Sequence, residues 1–259
     1  MTLQTHYGRR QLSRPPIAFW ITSVLGTLAA IVIMALVASP QTKPKLKSVA
    51  AKTAPEEQPA GPPVKSYGSK SAPIMLEVYT DYQCPSCRNF YEQTLRTLIN
   101  DYVASGKVYL VHHDYPLSGH SHSGEAARWA NAAARVGEFD KAEGALYDNQ
   151  AAWEESDDIA KYMSAVMSPA DFKRVQGQLK GCEGPGPVAG VGGAVTYPTG
   201  GHPCPKDAYI TPDIVMGTKV PVNATPTFVI TYKGKRLAPG SGGVSWPILK
   251  QFFDSLSSQ

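Results

Sequence analysis

A chain of 259 residues is long enough for one sizeable domain with additional segments. Its net charge of +4 is mild, and no basic stripe with interleaved aromatics marks a nucleic-acid surface. Four cysteines form an even count, which fits an oxidising compartment.

Residues 1–16 are polar and carry Arg9, Arg10 and Arg14. From Ile17 to Ala38 no residue is charged. As a helix that run is roughly 33 Å long, enough to cross a hydrocarbon core. Trp20 stands where an interfacial aromatic belongs. The length of the run, and Pro40 after Ser39, favour an uncleaved signal anchor over a cleaved signal peptide. Lys43, Lys45, Lys47 and Lys52 nearly balance the N-terminal arginines, so local charge does not set the orientation. Residues 39–71 are rich in Pro, Lys and Ala and read as a semi-extended tether. The lysines there are read as solubilising, with anionic lipid head groups as the alternative.

The folded domain is expected over 72–259. The apolar run Ile74 to Tyr79 predicts a buried strand. It leads into Cys84-Pro85-Ser86-Cys87, and an amphipathic helix follows with Phe90, Tyr91, Leu95, Leu98, Ile99 and Tyr102 on its apolar face. Cys84 thus falls at a helix N-terminus, where free N–H groups and the helix dipole favour a thiolate. Pro85 suits the first turn, which loses no hydrogen bond to it. Cys87 lies one turn on, close enough to bridge. This setting points to redox chemistry. A zinc half-site needs a second close Cys or His pair, and Cys182 and Cys204 are too far apart in sequence to supply one. Covalent haem needs a His where Arg88 stands. A structural bridge across so short a loop would constrain little of the unfolded chain.

Lys107 to His113 predicts a second strand. Helices follow over about 118–180, divided at Gly137, at Ser156-Asp157-Asp158 and at Ser168-Pro169. Four histidines (His112, His113, His120, His122) cluster here and are assigned surface or capping roles rather than a metal. Residues 181–210 form a Gly- and Pro-rich loop bracketed by Cys182 and Cys204. These two are expected to form a structural disulfide, with a redox relay or two free thiols as alternatives. Thr211 to Thr218 reads as a short helix, Ala224 to Tyr232 as a strand opened by Thr225-Pro226, and Lys235 to Ala238 as its hairpin partner. A last helix, capped by Ser245, is expected to bury Ile248, Leu249, Phe252, Phe253 and Leu256.

This order resembles the thioredoxin fold with an inserted helical subdomain. It is similar to the DsbA-like thiol–disulfide oxidoreductases of the membrane-tethered bacterial type. The residues that carry the resemblance are Tyr79 to Phe90, His113 to Leu117, Ala126-Ala127 through Gly137-Glu138-Phe139, Gln150 to Trp153, and Ala224 to Phe228. The resemblance implies that Cys84 is the exposed nucleophile and Cys87 the buried resolving partner of a redox-active disulfide. It implies that Pro226 is a cis-proline facing them, with Thr225 as substrate-binding backbone. No cofactor or metal is implied. The implied partners are reduced or unfolded proteins and a quinone-linked membrane oxidase, with the domain in the periplasm. The sequence departs from the family at Val78, where a buried acid often stands, and at Ser86, where the strongest oxidants carry His. Both departures predict a moderate oxidant. Glu77 should face the opposite side of the strand. The expected function is dithiol oxidation. A reductase or isomerase, or a non-catalytic chaperone module, are the alternatives.

Overall fold

Seven residues of nearly continuous apolar character, Ile74–Thr80, cannot tolerate a wet face and so take the middle of a sheet (β2). The computed structural model describes residues 65–258. The expected tail, the apolar run 17–38 and the tether up to 64 lie outside the described residues. Among the described residues no helix is long and apolar enough to cross a membrane.

In chain order the elements start with β1 (Ser66–Tyr67) and β2, then one helix, α1 (85–103), whose hydrogen bonding widens to π-turns at Tyr91–Leu95 and Ile99–Val103. β3 (Val108–Asp114) follows, then α2 (Ser123–Arg135), α3 (Phe139–Asp148), α4 (Gln150–Ser156), α5 (Ile159–Val166) and α6 (Pro169–Leu179). A two-stranded ribbon, β4 (Val188–Ala189) with β5 (Val195–Thr196), precedes α7 (Thr211–Lys219). β6 (Thr227–Tyr232), β7 (Lys235–Arg236), β8 (Gly240–Ser241) and α8 (Trp246–Ser257) complete the chain. The main sheet has the order β1-β3-β2-β6-β7, with β8 also on β6. β2 runs parallel to β3, with Thr80 opposite Asp114, and antiparallel to β6, with Tyr79 opposite Thr227. The register matters because it brings the ends of β2 and β3 and the start of β6 to one place.

Packing follows the apolar spacing. Phe90, Tyr91, Leu95, Leu98, Ile99 and Tyr102 of α1 are all buried. Phe90 meets Phe228 of β6 with ring centroids 4.8 Å apart, which locks the helix over the sheet. The Ala-rich α2 is buried nearly throughout and forms the middle of the helical insertion. Asp158 and Ser168 cap α5 and α6 by accepting from Lys161 N and Asp171 N.

Three expectations change. The domain begins at least at Lys65 rather than at residue 72, because Ser66–Tyr67 pairs with β3 and Lys65 is buried. On α8 only Leu249, Phe253 and Leu256 are buried, whereas Ile248 is 63% exposed and Phe252 is 37% exposed. The helix offers one stripe to α1, and those two fall beside it. Ser245 does occupy the capping position of α8 but makes no side-chain capping bond.

Candidate active site

Cys84 is the N-cap residue of α1, with Pro85 in the first helical turn. Its backbone N–H donates to the Asp81 carbonyl at 3.1 Å, and the Cys87 N–H donates to the Cys84 carbonyl at 3.0 Å. Both cysteines are free thiols, the reduced state of the expected pair. Cys84 is the more accessible, but at 7% exposure it is less open than expected, against 1% for Cys87. The Thr225–Pro226 peptide is cis, as expected. The Cys84 thiol donates to the Thr225 carbonyl at 3.4 Å, so β6 delivers its first residues directly against the nucleophile.

The two thiols differ in acidity. A hydrogen bond from the Cys87 thiol is the main reason the Cys84 pKa falls to about 5. Burial works against this, while the Thr225 side chain and the backbone N–H groups of Cys87 and Ser86 add to it. Burial, and then the neighbouring Cys84, push the Cys87 thiol well up. The pair therefore has one thiolate and one retained proton at neutral pH.

Asp81 was part of the sequence motif but had no assigned role. It is buried and accepts four hydrogen bonds, from Gln83 N (2.8 Å), Leu117 N (2.9 Å), His120 Nδ1 (2.7 Å) and the Ser123 hydroxyl. The bond to Gln83 is the two-residue reach typical of an Asx-turn, a local signal that a sequence can show. The other three come from the segment after β3 and from α2, which no local pattern indicates. The hydrogen bond to Asp81 raises the His120 pKa, and the nearby Cys84 adds to the rise. Gln150 Nε2 donates to the Tyr82 carbonyl at 2.7 Å and Gln83 Oε1 accepts from His122 N at 2.8 Å, so the insertion holds the turn before Cys84.

The histidines do not behave as a group. His112 and His113 are buried, contrary to surface or capping roles. His112 lies on the cysteine side of the sheet beside Glu143, and His113 pairs with Asp213 and Glu77. His122 does occupy the N-cap position of α2. Among the described residues, His122, Glu125 and Asp157 bring donor atoms within 4.8 Å of one another, a grouping that exposed acidic residues often form without a metal. There His122 and Asp157 form an ion pair at 3.0 Å. Cys182 and Cys204 form the expected disulfide.

A family model described as Thioredoxin matches residues 62–182. Among solved structures, a thioredoxin-like oxidoreductase from Silicibacter pomeroyi is 21% identical, with a TM-score of 0.56, covering 77% of this chain and 95% of that one. The alpha-DsbA1 of Wolbachia pipientis is 16% identical, with a TM-score of 0.54 and coverage of 75% and 90%. DsbA2 of Pseudomonas aeruginosa is 20% identical, with a TM-score of 0.51 and coverage of 75% and 94%. At these identities the likeness is one of fold. No curated protein matches the chain.

Proposed function

We propose, from the match of residues 62–182 to a thioredoxin family model and the likeness in fold to DsbA-type structures, a thiol–disulfide oxidoreductase that works as a dithiol oxidase on proteins outside the cytoplasm. The observation that carries this reading is the split between the thiols: Cys84 acidic and more open, Cys87 shielded and proton-bearing. A substrate thiolate attacks Cys84 Sγ of the Cys84–Cys87 disulfide, and the S–S electron pair passes to Cys87. A second substrate thiol then attacks the substrate sulfur of the mixed disulfide and expels the Cys84 thiolate. The substrate leaves oxidised and the enzyme reduced. The stability of that thiolate is what drives the direction, because it favours the reduced enzyme. The Thr225 carbonyl faces this sulfur and is placed to pair with an extended substrate backbone.

The apolar run 17–38 supports a membrane anchor, and the oxidising chemistry supports a periplasmic domain reoxidised by a quinone-linked membrane partner. Incubating the full-length protein, as the disulfide, with a reduced unfolded substrate tests the catalytic reading. Stoichiometric and then catalytic substrate oxidation, lost in Cys84→Ser, is expected. Binding of the unfolded chain that is unchanged in Cys84→Ser, with no oxidation by the wild type, favours the chaperone module instead.

A further inference from the structure

Cys87 borders a cavity of about 10 Å³, near the size that holds one water. Val78 lines it and has no proton to give, whereas Thr80, His112 and Glu143 also line it and do. A proton must reach Cys87 whenever its disulfide opens and must leave whenever it closes, at a sulfur only 1% exposed. Polar side chains run inward in a line. Thr80 Oγ1 and His112 Nε2 are 2.7 Å apart, His112 Nδ1 and Glu143 Oε1 are 3.0 Å apart, and the Tyr67 hydroxyl donates to Glu143 Oε2 at 2.6 Å. Tyr82 stacks on the His112 ring, with centroids 5.3 Å apart, and fixes its plane. An imidazole so held can take a proton at one nitrogen and release another from the other.

We propose that Glu143, through His112 and Thr80, is the proton donor and acceptor for Cys87, an inference that rests on the thiol–disulfide exchange proposed above. When a substrate thiolate bonds to Cys84 Sγ and the Cys84–Cys87 bond breaks, the electron pair stays on Cys87 Sγ. Protonated Glu143 passes its proton to His112 Nδ1, and the Nε2 proton moves through the Thr80 hydroxyl to Cys87. Glu143 is left as a carboxylate. In the reverse step Cys87 returns its proton to Glu143, attacks Cys84 Sγ and expels the bound thiolate.

The other groups around this line are less suited. Asp81 spends both oxygens on four donors from the turn, from the segment after β3 and from α2. Asp114 is ion-paired with Lys65 and accepts from Asn131 Nδ2 at 2.6 Å. Asp140 precedes Glu143 by one turn of α3 but is half-buried and does not line the cavity. Burial keeps the hydroxyls of Tyr67, Tyr82, Tyr91 and Tyr147 protonated.

The test uses the full-length reduced protein mixed with oxidised glutathione, following release of glutathione from Cys84 by Cys87 between pH 5 and 9. A wild type that forms no mixed disulfide at Cys84 defeats thiol–disulfide exchange itself, before any variant is read. Given exchange, Glu143→Gln should release glutathione about 100-fold more slowly at pH 7, the scale of general acid–base catalysis. The deficit should shrink as pH rises, while the pH profile of Cys84 alkylation stays put. Glu143→Asp should keep the wild-type pH profile at an intermediate rate. A wild-type rate and profile in Glu143→Gln overturns the proposal, as does a parallel shift of Cys84 alkylation, or an Asp81→Asn variant that alone produces the loss. If Glu143→Gln does not fold, His112→Asn interrupts the same line, and a wild-type release profile there overturns it equally.

Discussion

Cys84 loses its proton where Cys87 keeps one because one thiol donates to the other. Iodoacetamide should therefore label Cys84 with a midpoint near about 5 and leave Cys87 unmodified up to alkaline pH. Preferential labelling of Cys87 would reverse the roles. Nucleophiles in Cys-x-x-Cys sites span from about 7 down to about 3.5. The matching potentials run from roughly −270 mV to roughly −120 mV. A Cys84 pKa of about 5 lies inside that span, so equilibration with glutathione should give a potential between the two ends. A value at either end would contradict a Cys84 pKa of about 5. This asymmetry was legible in the sequence, since a strand-to-helix turn puts the first Cys at the N-cap and the second inside. Glu143 and His112 were not legible. In sequence Glu143 is one polar position on a helix and His112 a strand end, and only the docking of α3 against the sheet brings them to Cys87.

The Gly- and Pro-rich loop shows the same limit at the level of elements. Its expected disulfide is present, but a second tie is an arginine on another element. Arg128 of α2 is fully buried and clasps both oxygens of Asp207 at 2.8 Å. It also donates to the carbonyls of Cys182, Gly184, Pro185 and His202. An Ala-rich helix face gives no hint that one of its arginines points inward to satisfy a loop's backbone. Opening the Cys182–Cys204 bridge should cost about 3 kcal/mol. Arg128→Met should cost about 3–5 kcal/mol, because it strands the Asp207 carboxylate and several carbonyls. Urea unfolding of the two variants checks the order, and an Arg128→Met loss below about 1 kcal/mol would mean that water replaces the guanidinium. Gly124, in the first turn of α2, carries a related expectation. Ala normally improves a helix over Gly by about 1 kcal/mol. Here a Cβ would stand 2.4 Å from the Gly186 carbonyl carbon, so Gly124→Ala should destabilise instead.

Across the whole molecule, two titrating groups on opposite sides of the sheet give stability opposite dependences on pH. On the face away from the cysteines, His113 lies between Asp213 at 2.8 Å and Glu77 at 3.2 Å, and Lys65 reaches Asp213 at 3.2 Å. This network joins β2, β3, α7 and the residue before β1. It also explains why the domain starts earlier than expected: a lysine beside a Pro-rich run reads as solvated until its partners, distant in sequence, are seen. Burial pulls the His113 pKa down, but Asp213 and Glu77 outweigh it and hold it up at about 9. A raised histidine contributes stability that is full below its unfolded value near 6.5 and is lost as pH rises through about 9. Cys84 in the dithiol state has the opposite sign. Its pKa falls from 9.0 to about 5, so its contribution is full above the unfolded value and is lost as pH falls through about 5. The disulfide form has no Cys84 proton, so the raised histidines, His113 and also His120 through Asp81, set its trend, and its stability should decline as pH rises from 6.5 to 9. The reduced form should gain on the oxidised form over the interval from pH 5 to 9. Urea unfolding of both redox states at pH 5, 7 and 9 measures the gap directly. His113→Gln should flatten the decline of the oxidised form, and Cys84→Ser should remove the pH-dependent gain of the reduced form. A gap between redox states that stays constant from pH 5 to 9 would mean that Cys84 is no more acidic folded than unfolded, and the thermodynamic case for an oxidase would go with it.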